Sequence, residues 1–87
     1  MNQLSSYPNV YNTCLVLLRQ HGFQLTYVKE QDVWLCEKDG FQFRADNPIE
    51  LLGLTTIYQN VKPKENVEYW WRISEPDVFS ELDPEGD

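Results

Sequence analysis

Glycine, histidine, methionine and cysteine are all scarce in this chain of 87 residues, with four, one, one and two copies. The glycines are isolated, so no glycine-rich loop could cradle a phosphate. One histidine, His21, and two cysteines, Cys14 and Cys36, fall short of the three or four ligands that zinc requires. Two cysteines also make no disulfide scaffold, and they predict a reducing, cytoplasmic setting. No apolar run approaches the length of a membrane span. Met1 to Tyr7 has neither a basic cluster nor an apolar stretch, which argues against a secretory signal there. Base is the other scarcity. Residues 1–73 carry eight acids against seven bases, whereas residues 74–87 carry six acids and no base. Scattered single bases and an acidic end exclude direct binding to nucleic acid, which needs clustered Lys and Arg to displace counterions.

Aromatic residues are plentiful instead: three Trp, five Tyr and four Phe, within a hydrophobic fraction of 41%. That composition belongs to a folded domain, not to a disordered or low-complexity chain. Ser6-Tyr7-Pro8 reads as a capped helix start, and Val10, Cys14, Leu17, Leu18 and His21 recur at helical spacing up to Gly22, a helix over 8–21. The period then shortens to two. Phe23, Leu25 and Tyr27 form a first strand, Val33 to Cys36 a second, and Phe41 and Phe43 a third. Asp39-Gly40 is a two-residue hairpin signal between the last two. Asn47-Pro48-Ile49-Glu50 starts a second helix over about 48–59, whose wide apolar arc of Ile49, Leu51, Leu52, Leu54, Ile57 and Tyr58 predicts deep burial and in which Gly53 implies close approach to a neighbouring element. Val67, Tyr69, Trp71 and Ile73 alternate with polar residues and Trp70 as a fourth strand. Ser74-Glu75-Pro76-Asp77 would cap a short final helix carrying Val78, Phe79 and Leu82 onto the body. The fold class is α+β: helix, three-stranded antiparallel meander, helix, fourth strand and short C-terminal helix. Residues 1–73 form one domain and 74–87 an acidic segment.

The two-residue loop at Asp39-Gly40 pairs Lys38 with Phe41, Cys36 with Phe43 and Trp34 with Ala45. The preceding turn pairs Val28 with Val33, Tyr27 with Trp34 and Leu25 with Cys36. One face of the sheet is then the helix-packed core, with Phe23, Leu25, Tyr27, Trp34, Cys36, Phe41 and Phe43. The other carries Thr26, Val28, Val33, Leu35, Gln42 and Arg44, too apolar to be left to water. Its cover is either the chain's own C-terminal segment, through Trp70 or Trp71 and Phe79, or a second molecule. The chain is accordingly a monomer or a weak homodimer.

No residue set forms a catalytic constellation. His21 ends a helix, where it serves the last carbonyls and the dipole. Cys14 and Cys36 fall on core faces as small hydrophobes, and the carboxylates sit at turns and strand ends, unpaired. The expectation is therefore a non-enzyme without cofactor or metal. Tyr69-Trp70-Trp71-Arg72 holds the residue types enriched at binding hot spots. With Val28, Val33, Leu35 and Phe79, residues Trp70, Trp71 and Arg72 form the candidate interaction surface. Three readings follow: a small cytoplasmic protein-interaction or regulatory module with an unknown protein partner, an acidic antagonist masking a basic nucleic-acid-binding partner, or a small-molecule binder using Trp34, Trp70 and Trp71.

The order helix, three-stranded meander, helix over residues 8–59 resembles the double-stranded-RNA-binding domain and toxin–antitoxin proteins of the HicA and HicB type. Neither activity carries over. The RNA-binding domains place lysines where this chain has Asn47-Pro48-Ile49-Glu50, and the glycine-histidine pair of the HicA type lies on a strand, whereas His21-Gly22 ends a helix. Ala45 to Leu54, Ile57-Tyr58 and Tyr69-Trp70-Trp71 also look like stretches of a group of small uncharacterised bacterial proteins, a resemblance that implies no activity.

Overall fold

The computed structural model describes residues 2–62 and 68–85. A 3-10 turn, Pro8–Val10, leads into α1, Tyr11–Gln20; β1, Gln24–Val28, β2, Val33–Lys38, and β3, Phe41–Ala45, follow; then come α2, Pro48–Val61, and α3, Val78–Leu82. The arrangement is α+β. The three strands form one antiparallel sheet in the order β1-β2-β3.

The pairings are those that the turns dictate. Leu25 lies opposite Cys36, Tyr27 opposite Trp34 and Val28 opposite Val33; Trp34 faces Ala45, Cys36 faces Phe43 and Lys38 faces Phe41. Asp39 and Gly40 both have positive φ, 53° and 79°, which makes the mirror-image turn that matches the twist of the strands. Lys29–Asp32 closes the other hairpin, with Asp32 at φ 53° and its carboxylate accepting from the Tyr27 hydroxyl at 2.8 Å.

Helices α1 and α2 cover one sheet face. Leu18, Phe23, Cys36, Phe43, Ala45 and Leu51 form the buried core, with Leu15, Leu25, Trp34, Phe41, Leu52 and Tyr58 packed against it. Chain reversal after α1 is local chemistry. Gly22, at φ 90°, lets its own N–H reach the Arg19 carbonyl and the Phe23 N–H reach the Leu18 carbonyl. This Schellman turn carries Phe23 into the core beside Leu18. The work expected of the His21 side chain falls to Lys38, whose Nζ donates to the His21 carbonyl at 2.7 Å and lies 5.4 Å from the centre of the Phe23 ring.

Several expectations are corrected. Ser6 does not cap α1; Tyr7 precedes the 3-10 turn without a side-chain cap, and Pro8 supplies the fixed φ at its first position. Leu17 and His21 are exposed, because α1 turns its Cys14–Leu18 side to the core. Gly53 is exposed, and a Cβ built there meets nothing within 4 Å, so no close approach explains it. Helix α2 is capped as expected, Asn47 Oδ1 accepting from the Glu50 N–H at 2.9 Å, but it is not buried all round: Leu54 and Ile57 remain exposed. Thr55, by contrast, is buried, its hydroxyl satisfied by the Leu52 carbonyl at 2.9 Å.

The fourth strand is also corrected. Val67 lies outside the described residues, and Glu68–Trp71 form a turn with Tyr69 at φ 55° and the Arg72 N–H bonded to the Tyr69 carbonyl. A side chain in the left-handed region breaks strand alternation. Helix α3 is capped by Asp77, which accepts from the Ser80 N–H at 3.2 Å, and not by Ser74. It does not dock: Phe79 is 63% and Leu82 79% exposed. The outer sheet face is therefore not covered by Phe79, nor by Trp70 or Trp71, which lie with Phe41 and Phe43 on the helix side. Val33 is nonetheless only 5% exposed, opposite Val28 in the ladder.

Leu18→Ala and Leu51→Ala should each cost about 2–5 kcal/mol, as cavity-forming truncations do, and Asn47→Ala about 1 kcal/mol through the lost cap. Gly53→Ala should raise stability by up to about 1 kcal/mol, because helix propensity improves with no clash. Urea unfolding of the four variants checks all of these; a destabilised Gly53→Ala would restore the close approach that the geometry denies.

Candidate functional site

The hairpin loop places Phe41 at the start of β3 with its ring on the helix side, two residues before Phe43, and their centroids lie 5.0 Å apart. Tyr58, from the last half of α2, closes the triangle at 5.0 Å from Phe41 and 5.2 Å from Phe43. Onto this platform the Glu68–Trp71 turn lays Trp70, edge-on to Phe41 at 5.5 Å and to Tyr58 at 6.3 Å. Each such pair contributes about 0.5–1.5 kcal/mol beyond area burial, enough together to outweigh the strand preference of the local sequence.

With Trp70 fixed, its neighbours are presented. Trp71 stands perpendicular to Trp70 at 5.9 Å, and Tyr69 meets Trp71 at 5.4 Å. Trp71 is 47% and Tyr69 54% exposed. The Arg72 guanidinium lies 4.7 Å from the centre of the Tyr69 ring. Phe41, Phe43, Leu54, Ile57, Trp70 and Trp71 line an open apolar groove of about 290 Å³. The exposed Leu54 and Ile57 of α2 thus form one wall of a shared concavity, which neither periodicity nor composition revealed. A signal was available in the breadth of the α2 apolar arc, wider than one sheet face can bury.

The seven residues of the expected interaction surface do not converge. Trp70, Trp71 and Arg72 lie together at this groove or on its rim. Val28, Val33 and Leu35 lie on the outer sheet face, and Phe79 projects from α3. Trp34 is also apart from the other two tryptophans, stacked on Tyr27 at 4.5 Å and lining a separate groove between α1 and β1. The three tryptophans expected to serve a small-molecule binder therefore belong to two separate grooves, Trp34 to one and Trp70 with Trp71 to the other.

Reactive chemistry is sparse around these surfaces. Cys14 and Cys36 are free and buried. Burial pushes the Cys36 thiol up from 9.0 to about 11, so it stays a thiol and not the thiolate that nucleophilic work needs. The Tyr27 hydroxyl is raised as well, chiefly by its hydrogen bond to the Asp32 carboxylate. Among the described residues no three His, Cys, Asp or Glu side chains are grouped to hold a metal ion, and no helix is long and apolar enough to cross a membrane. Comparison of the chain with protein-family models, with curated proteins and with solved structures gives no match.

The Cys36 shift has a consequence for stability. Because the folded chain holds this proton up to about 11 while the unfolded chain releases it near 9, the stabilisation is complete below pH 9 and is lost as pH rises through the folded value. Stability should therefore fall between those limits, and Cys36→Val should show a shallower fall over the same range in pH-dependent urea titrations. Equal slopes in the two proteins would contradict a buried, neutral Cys36.

Proposed function

We propose that the protein is a non-enzymatic interaction module that receives another protein at the aromatic groove between β3, α2 and the Glu68–Trp71 turn. The observation that carries this reading is Trp71. A Trp half open to solvent, pinned by a perpendicular ring contact to Trp70 and set in an apolar concavity beside an Arg, is ordered before any partner arrives. Pre-ordering spares the entropy of fixing a contact residue, and Trp, Tyr and Arg are the types that dominate binding energy. The groove lacks a titratable pair and opens broadly, which suits a side chain or short segment of a protein better than an enclosed substrate.

A second reading has its own observation. From Ser74 onward the chain has six acids and no base, and α3 leaves Val78, Phe79 and Leu82 exposed among them. An acidic amphipathic turn of this kind suits a basic partner, and supports the role of an antagonist masking a nucleic-acid-binding protein.

Capture from lysate with three immobilised forms separates the two: the full chain, Trp71→Ala, and a chain ending at Ile73. The groove reading expects Trp71→Ala to weaken the specific partner by about 30-fold or more, the scale of a hot-spot residue, with melting unchanged and the truncated chain still binding. Loss on truncation alone, together with steep weakening by salt, would instead establish the acidic segment as the binding element.

A further inference from the structure

We infer that β1 is a pairing edge for a second copy of this chain, the two β1 strands joining antiparallel about a two-fold axis through Thr26 to make one six-stranded sheet. Strand β1 has β2 on one side and, among the described residues, no strand on the other. An open edge presents a row of unpaired N–H and C=O groups, and proteins ordinarily blunt it with charge, proline or a bulge. Gln24-Leu25-Thr26-Tyr27-Val28 has no charge and no proline, and it pairs with β2 residue for residue, without a bulge. The opposite edge is defended: β3 carries Arg44, and Trp70 packs against Phe41 at its start.

The hairpin loop also tells which groups face the open side. A two-residue loop makes Lys38 and Phe41 a doubly bonded pair, and the alternation of an antiparallel ladder then sends the main-chain groups of Val33, Leu35 and Glu37 toward β1. Gln24, Thr26 and Val28 answer them. Leu25 and Tyr27 therefore turn their N–H and C=O groups outward. A two-fold axis through Thr26 overlaps all five residues and sets each Leu25 against the Tyr27 of the second copy, each such pair exchanging both main-chain bonds. On the helix side this gives an aliphatic–aromatic contact across the joint, a favourable cross-strand combination. On the outer face it brings the two Thr26 side chains together as a non-bonded pair, the closer of the two spacings.

The flanking surface supports the same occupant. Tyr27 and Val16 are each 43% exposed, and a groove of about 230 Å³ between α1 and β1, where Asn12 and Arg19 stand beside Leu15, Val16 and Tyr27, runs along this edge. A second copy would bring its own Tyr27 and Val16 to that groove, and the strand itself sets no like charges against each other. This contact is separate from the aromatic groove, which lies at β3 and α2.

Cysteine cross-linking reads the register directly. Under mild oxidation Thr26→Cys should link into a covalent dimer, whereas Gln24→Cys, which faces Val28 of the second copy, and the native chain with its buried thiols should not. Thr26→Lys, which sets like charges against each other at the axis, should raise the concentration of half-dimerisation by about tenfold or more in sedimentation equilibrium, with the circular dichroism spectrum of the monomer unchanged. A native chain that stays monomeric up to about 1 mM overturns the inference. A dimer indifferent to Thr26→Lys, with no cross-link from Thr26→Cys, also overturns it and moves the contact to another surface.

Discussion

The register set by the Asp39-Gly40 turn is the constraint on which every other feature of this protein depends. Two residues with positive φ leave the strands only one pairing, and side chains alternate between faces, so that pairing divides the sheet at a stroke. Cys36 and Phe43 go to the helices, Val33 and Leu35 to the opposite side. A slip of one residue would expose Phe43 and bury Arg44, at a cost that takes a large share of the marginal stability of a domain this small. The same register places Phe41 under Trp70 and turns the main chain of Leu25 and Tyr27 to the open edge. Core, groove and edge are consequences of one turn.

Most of what could be read from the residues alone was what local chemistry decides, although the caps expected at Ser6 and Ser74 did not form. Asp39-Gly40, Asn47-Pro48 and Gly22 each act within a few residues of their own position, and the hairpin, the α2 cap and the end of α1 all formed as their types require. Features that hang on distant contacts were not legible. Tyr69-Trp70-Trp71 alternates like a strand, yet contacts to Phe41 and Tyr58 fold it into a turn. Gly53 suggested a packing constraint that its surroundings do not impose, and Thr55 gave no sign that it would be buried. The candidate site was legible in its residue types, since Trp70, Trp71 and Arg72 stood out, but not in its extent. Leu54 and Ile57 read as core, and only the turn that brings Trp70 and Trp71 opposite them makes them a wall.

Charge divides the chain into a nearly neutral stretch, residues 1–73, and an acidic end, and the two offer different chemistry to a partner. At the groove, apolar area and pre-ordered rings would supply binding energy that salt hardly affects. At the acidic end, exposed Val78, Phe79 and Leu82 among carboxylates would bind a basic surface with strong dependence on salt. A partner using both would show a two-part response, insensitive to salt in one part and sensitive in the other.

The three tryptophans give the most direct test, because they sit in two different places: Trp34 beside Tyr27, Trp70 and Trp71 at the groove. Two-dimensional nitrogen–proton NMR resolves one indole N–H signal for each, and it should be followed while a captured protein partner is titrated in. Docking at the groove predicts shifts of the Trp70 and Trp71 indoles with Trp34 unmoved. Movement confined to Trp34, or to the amides beyond Ile73 with Trp70 and Trp71 still, would contradict the account.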